Sequence, residues 1–138
     1  MIQGFNMPIN RDLIYGRISA VYEAVSKPRE LTSKESRAWG IHERHSMRYN
    51  LIVLVEALAS LCLHVAIELY NLRPRSYAEC FREVPPRLGV RCSGDLETLS
   101  RLRNLLVHRY WVIRDNIVYK SVSCLRLGQR TYRDCYCV

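Results

Sequence analysis

The sequence predicts an all-α protein, a four- to five-helix bundle of one domain spanning residues 1–138, built around one long central helix. Three observations predict it. Apolar residues recur at helical spacing through most of the chain. Capping residues and prolines punctuate those stretches at the intervals helices need. No alternating apolar/polar segment competes as a strand.

The first predicted helix runs from about Arg11 to Val25, where Leu13, Ile14, Ile18, Val21, Tyr22 and Val25 form a stripe, and Pro28 is expected to stop it. Thr32 and Glu35 have the T-x-x-E form of a capping box and would open a second helix. No strong breaker follows until Asn71 and Pro74, so this helix is expected to run close to forty residues, about 60 Å at 1.5 Å per residue, with Gly40 its weak point. Its second half, Leu51 to Leu69, is apolar enough to invite a membrane reading. Glu56, Ser60, His64 and Glu68 oppose that reading, because they fall at successive i+4 steps and draw one polar seam. Two glutamates and a histidine are costly in lipid. The expectation is a helix buried among its neighbours, with no membrane partner.

Ser76 to Val84 reads as a short helix closed by Pro85 and Pro86. Ser93 or Asp95 is placed to cap a fourth helix from Leu96 to about Ile113, with Glu97 and Arg101 as an i, i+4 pair. A last helical segment starts near Asp115 and carries Ile117, Val118, Val122 and Leu125, weakened at Gly128.

Composition sets outer limits. With 49% hydrophobic and 25% charged residues, the chain is an ordinary globular protein and not a disordered one. A core from 138 residues buries about two thirds of the unfolded surface without a disulfide framework. Met1 to Asn10 lacks a basic start followed by an apolar run, so a cytoplasmic protein is expected. The net charge of +8 favours a polyanionic partner such as nucleic acid. Arginine supplies nearly all of it, the lysines being Lys27, Lys34 and Lys120. Codon usage explains that skew at least as well as phosphate recognition does.

The cysteines are Cys62, Cys80, Cys92, Cys124, Cys135 and Cys137. Their spacing makes no C-x-x-C pair, and Cys135/Cys137 has no counterpart at zinc-ribbon distance. Cys62 reads as a small core residue. Cys80 and Cys92 flank a short loop at a separation a disulfide can bridge, but free thiols are the expected state in a reducing cytosol. His42 and His45 lack a third ligand, and no metal or cofactor is expected.

The segment richest in chemistry is Leu102-Arg103-Asn104-Leu105-Leu106-Val107-His108-Arg109-Tyr110-Trp111. Around Arg103 a helical wheel sets Leu96, Leu99, Leu102, Leu106, Val107 and Ile113 on both sides. A guanidinium within such a stripe needs a partner. A structural ion pair with Glu56 or Glu68 and a cleft or subunit interface explain it equally well. Asn104, His108 and Trp111 share the neighbouring face, and a lone histidine there is more often structural than catalytic. Arg103 and His108, five residues apart, diverge by about 140° on a straight helix. They act together only if the arginine curls round or a second subunit completes the groove.

The octet Arg103 to Tyr110 matches R-N-x-x-x-H-x-Y, and in this it resembles HEPN domains, specifically the HepT-type toxins paired with minimal nucleotidyltransferase antitoxins. The likeness extends over roughly residues 36–125. It takes in Arg48 to Ile67, the Pro74-to-Phe81 segment with its Pro-x-Ser-Tyr-x-Glu-x-Phe form, and Asp115 with Ile117-Val118-Tyr119. Arg114 departs from the family's usual aliphatic residue, and the first helix and the tail from Leu127 match poorly.

The resemblance implies a metal-independent endoribonuclease in which the ribose 2′-OH attacks the adjacent phosphorus. Arg103 and His108 would be its catalytic pair and Asn104 a supporting residue. It also implies a homodimer with this helix at the interface, an RNA substrate, and a cognate nucleotidyltransferase that silences the toxin by transferring AMP to Tyr110. An aromatic packing role for Tyr110 is the alternative at that position. A second reading keeps the fold but drops the chemistry: a non-catalytic HEPN partner or substrate-binding subunit of a minimal nucleotidyltransferase. A basic nucleic-acid-binding protein without chemistry is a third, opposed by the scatter of its arginines.

Overall fold

The computed structural model describes residues 10–31, 39–109 and 114–119. Within them the chain forms α1 (Arg11–Leu31), α2 (Ile41–Tyr70), α3 (Tyr77–Arg87) and α4 (Ser93–His108), with a further helical turn at 115–119. No strand occurs among the described residues. The architecture is an all-α bundle in which α2 is the shared spine, packed against α1, α3 and α4, while α3 and α4 also pack on each other.

Asn10 starts α1 by accepting the Leu13 N–H on its side-chain oxygen at 3.2 Å, which satisfies one of the helix's orphan donors. The helix does not stop at Pro28. It continues to Leu31, so the proline falls in the last turn, where few hydrogen bonds remain for it to break. The predicted stripe also needs correcting: Leu13 and Tyr22 are exposed, while Ile14, Ile18, Val21, Ala24 and Val25 turn inward to varying degrees.

The central helix is 30 residues long, about 45 Å rather than about 60 Å. Gly40 is its N-cap in extended conformation, so the expected weak point is the start of the helix. Thr32 and Glu35, the expected capping box, lie outside the described residues. By length and composition α2 could cross a membrane, yet here its inward ladder of Met47, Leu51, Val55, Ala59, Cys62 and Ala66 is buried in the protein core. That ladder advances in steps of four and one step of three, as a face that must follow a 3.6-residue turn does. At the far end Asn71 takes the left-handed conformation (φ 51°), and the N–H groups of Asn71 and Leu72 close on the Ala66 carbonyl. Asparagine tolerates this geometry better than most residues, and it turns the chain toward α3.

Ser76 and Glu79 cap α3 together. The Ser76 hydroxyl accepts the Glu79 N–H at 3.1 Å, and the Glu79 carboxylate accepts the Arg75 N–H at 2.8 Å, a variant of the capping box. Contrary to expectation, Pro85 and Pro86 are inside the helix. They sit in the final turn, and closure comes one turn later through Leu88 N–H to the Pro85 carbonyl and Gly89 N–H to the Pro86 carbonyl. Gly89, at φ 76°, supplies the left-handed residue that ends the turn.

The fourth helix begins at Ser93 and ends at His108, with Arg109 as C-cap. It therefore starts earlier than Leu96, and the expected end near Ile113 lies outside the described residues. Cys92 holds the cap position; Ser93 and Asp95 are inside the first turn. The predicted Glu97–Arg101 pair is present at 3.2 Å, and Glu97 also binds Arg82 of α3 at 3.0 Å. Leu99, Leu102 and Leu106 complete the core with Phe81 and Val84.

The turn at 115–119 is fastened to the N-terminal half of α2. Arg48 donates from Nε and Nη2 to Asp115 Oδ1 at 3.0 and 2.8 Å, and Arg44 lies 3.7 Å from Oδ2. Val118 is buried, and Tyr119 meets Trp39 edge-on with ring centroids 5.1 Å apart.

Candidate active site

The inner edge of α4 is set by its three buried leucines, and Arg103 stands at the border of that face rather than at its centre. Val107, expected to flank it within the stripe, is exposed, as is Leu105. The border position lets the guanidinium cross to α2, where Arg103 Nη2 forms an ion pair with Glu56 Oε1. The sequence left Glu56 and Glu68 as alternative partners; it is Glu56. The Arg103 side chain retains 22% of its surface exposed, so the pair is shielded but not sealed.

Tyr77 completes the group from a third helix. Its hydroxyl donates to Glu56 Oε2 at 2.7 Å, and its ring lies 5.4 Å from the Arg103 guanidinium carbon, within cation–π range. The Tyr77 phenol is pushed above its ordinary value, first by the hydrogen bond it gives to Glu56, then by burial and the Glu56 charge, with Arg103 opposing. The capping exchange at Ser76 and Glu79 fixes where α3 begins, and Tyr77 is its first residue. A third contact comes from within α4, where Arg103 Nη1 donates to Asn104 Oδ1 at 2.9 Å. Arg103 is thus held by a carboxylate, an aromatic face and an amide at once. Such a clamp fixes a charge in place with little left to reorganise.

Sequence reasoning did not single out Tyr77. The signal was present, because Ser-x-x-Glu places Tyr77 at a helix start, but nothing in the chain states that this start faces Glu56. Of the expected polar seam on α2, Glu56 is engaged as described. His64 is half-buried, and its Nε2 is enclosed without a hydrogen-bond partner among the described residues.

His108 is the last residue of α4 and is exposed. Asn104 is exposed on the same side, one turn earlier. Because α4 is regular from Ser93 to His108, Arg103 and His108 keep the divergence of about 140° that five residues impose. Arg103 reaches inward to α2 and α3, and His108 faces outward. The structure joins Arg103 with Asn104 and leaves His108 on the open side. Tyr110 and Trp111 lie outside the described residues.

The arrangement offers two chemical elements on one helix: a pre-positioned cation with a partly open face, and an accessible imidazole beside exposed amide and apolar groups. These elements, on an all-helical bundle carrying R-N-x-x-x-H-x-Y at the end of its fourth helix, define a HEPN-type protein. The family model described as Ribonuclease HepT-like matches residues 18–124, and the chain belongs to that family. A comparison with curated proteins finds no match.

Proposed function

We propose that this chain is the ribonuclease toxin of a toxin–antitoxin pair, a metal-independent endoribonuclease acting as a homodimer. The observation that supports it best is the clamp on Arg103. Glu56 and Tyr77 hold a permanently charged guanidinium at the edge of the core with part of its surface open, a state suited to stabilising charge on phosphoryl oxygens.

In the proposed reaction a general base takes the proton of a ribose 2′-OH as the oxygen attacks the adjacent phosphorus. A general acid then gives a proton to the departing 5′-oxygen, leaving a 2′,3′-cyclic phosphate. His108 fills one of these roles, since histidine is the side chain whose ordinary titration lies nearest neutrality. Asn104 bonds Arg103 and orients it. The outward face of α4 carries Asn104, Leu105 and His108, and pairing that face with a second copy would bring the Arg103 of one protomer toward the His108 of its partner. Exposed Leu105 and Val107 supply apolar area for such a contact. Leu105→Glu should therefore yield a folded monomer by sedimentation that no longer cleaves RNA.

Silencing is proposed to come from the cognate minimal nucleotidyltransferase. The Tyr110 hydroxyl would attack the α-phosphorus of ATP, pyrophosphate would leave, and the bound AMP would place negative charge two residues from His108.

The test is cleavage of structured RNA in excess EDTA by purified protein and by its His108→Ala variant, after the intact mass has been checked for AMP. Cleavage by unmodified wild type alone supports the reading. RNA left intact by unmodified wild type overturns it in favour of a non-catalytic partner of the nucleotidyltransferase.

A further inference from the structure

Two thiols that take no part in the proposed reaction face each other across the α2–α3 contact. Cys62 and Cys80 are both buried, and their Sγ atoms are 2.8 Å apart. The Cys80 thiol donates to Cys62 Sγ, while the Cys62 thiol also lies 3.3 Å from the Cys80 carbonyl oxygen. A disulfide bond is about 2.03–2.05 Å long, so closing this gap takes a shift of under about 1 Å. Cys92, which the loop length allowed as a bridging partner for Cys80, is a free thiol, and so are Cys62 and Cys80.

We propose that Cys62 and Cys80 form an oxidation site, closing to a disulfide that staples α2 to α3 when the protein meets a peroxide-class oxidant. In that step the Cys80 thiolate attacks one oxygen of hydrogen peroxide, breaking the O–O bond to give a sulfenic acid and releasing the other oxygen as water after protonation. The Cys62 sulfur then attacks the sulfenic sulfur; the S–S bond forms and a second water leaves. Two thiols and one peroxide give one disulfide and two waters.

The contact between the sulfurs also assigns the roles. Once Cys80 gives up its proton, the Cys62 thiol in contact with it can donate to the thiolate; that bond lowers the Cys80 thiol, making it the nucleophile, and raises Cys62. Burial slows entry of the oxidant but enforces the pairing, because a sulfenic acid formed at Cys80 has a thiol already in contact. The staple would lie one turn along α3 from Tyr77, and so would fix the register that aims Tyr77 at Glu56. The inference does not depend on the ribonuclease reading.

The experiment treats the folded full-length protein with hydrogen peroxide, removes the oxidant, and denatures it at acidic pH with excess alkylating agent before tryptic digestion. Trypsin separates the cysteines, since cleavage after Arg48, Arg75 and Arg82 puts Cys62 in residues 49–75 and Cys80 in residues 76–82. The expected product is a cross-linked peptide joining these two segments, with Cys92 fully alkylated. Oxidised protein should also melt several degrees higher than reduced protein, and Cys80→Ala should lose that shift. Full alkylation of Cys62 and Cys80 after oxidation, or a cross-link from either to Cys92, would overturn the proposal.

Discussion

The two sides of α4 handle polar groups in opposite ways. On the inner border, Arg103 is gripped by Glu56 from α2, Tyr77 from α3 and Asn104 from its own helix. On the outer side, His108 stands exposed at the helix end, where regular hydrogen bonding gives way to the Arg109 cap. A group that stabilises charge gains from being immobilised in advance. A group that must exchange protons with a substrate has to remain reachable. The proposed reaction gives Arg103 the first role and His108 the second, and five residues of helix carry them to different faces.

Substitutions can break this contrast in order of expected effect. His108→Ala should lower RNA cleavage by about 10²- to 10⁴-fold, and a thermal melt should leave the fold unchanged because the side chain is exposed. Arg103→Ala should lower cleavage by about 10²- to 10³-fold. It should also destabilise the bundle by about 1–2 kcal/mol in urea titrations, less than a sealed ion pair would lose because both partners keep some water. Equal stability losses in the two variants would erase the distinction between the two sides.

Glu56→Gln keeps the shape but removes the charge opposite Arg103. Cleavage should fall by about 10-fold or more through loss of aim, while the same substitution made in Arg103→Ala should add little. Additive losses would mean that Glu56 does not act through Arg103.

The smallest effect is expected for Tyr77→Phe, about 1 kcal/mol from one hydrogen bond to a partly solvated carboxylate. Its pH dependence has a definite sign. The folded-state phenol is raised above its ordinary 10.0, so the contact contributes fully below that value and is lost as pH climbs through the higher folded one. The gap in urea midpoint between wild type and Tyr77→Phe should therefore hold from neutrality to about pH 9.5 and shrink in stronger alkali. A gap that widens with alkali would contradict the direction of the shift.

What the sequence made legible follows from local periodicity. The ladder on α2 and the leucines of α4 were readable because a helix repeats its own face regardless of its surroundings. Cys62 was readable as a core residue for the same reason. Helix ends were less so: Pro28, Pro85 and Pro86 all fall in last turns, where proline costs little, and Gly40 starts a helix it was expected only to weaken. The site was half legible. Arg103 visibly needed either a carboxylate or a cleft, but deciding for Glu56, and finding Tyr77 and the Cys62–Cys80 contact, required the packing of α3 on α2. Spacing along one chain does not encode which faces meet.

The clasp of Arg44 and Arg48 on Asp115 has a consequence for the start of α2. Two cations four residues apart on one helix face repel each other, and the single Asp115 carboxylate between them turns that repulsion into a three-way clasp. Taking the carboxylate away would do more than release the turn at 115–119: it would leave two like charges side by side near the start of α2, so the loss would be felt at both ends of the contact.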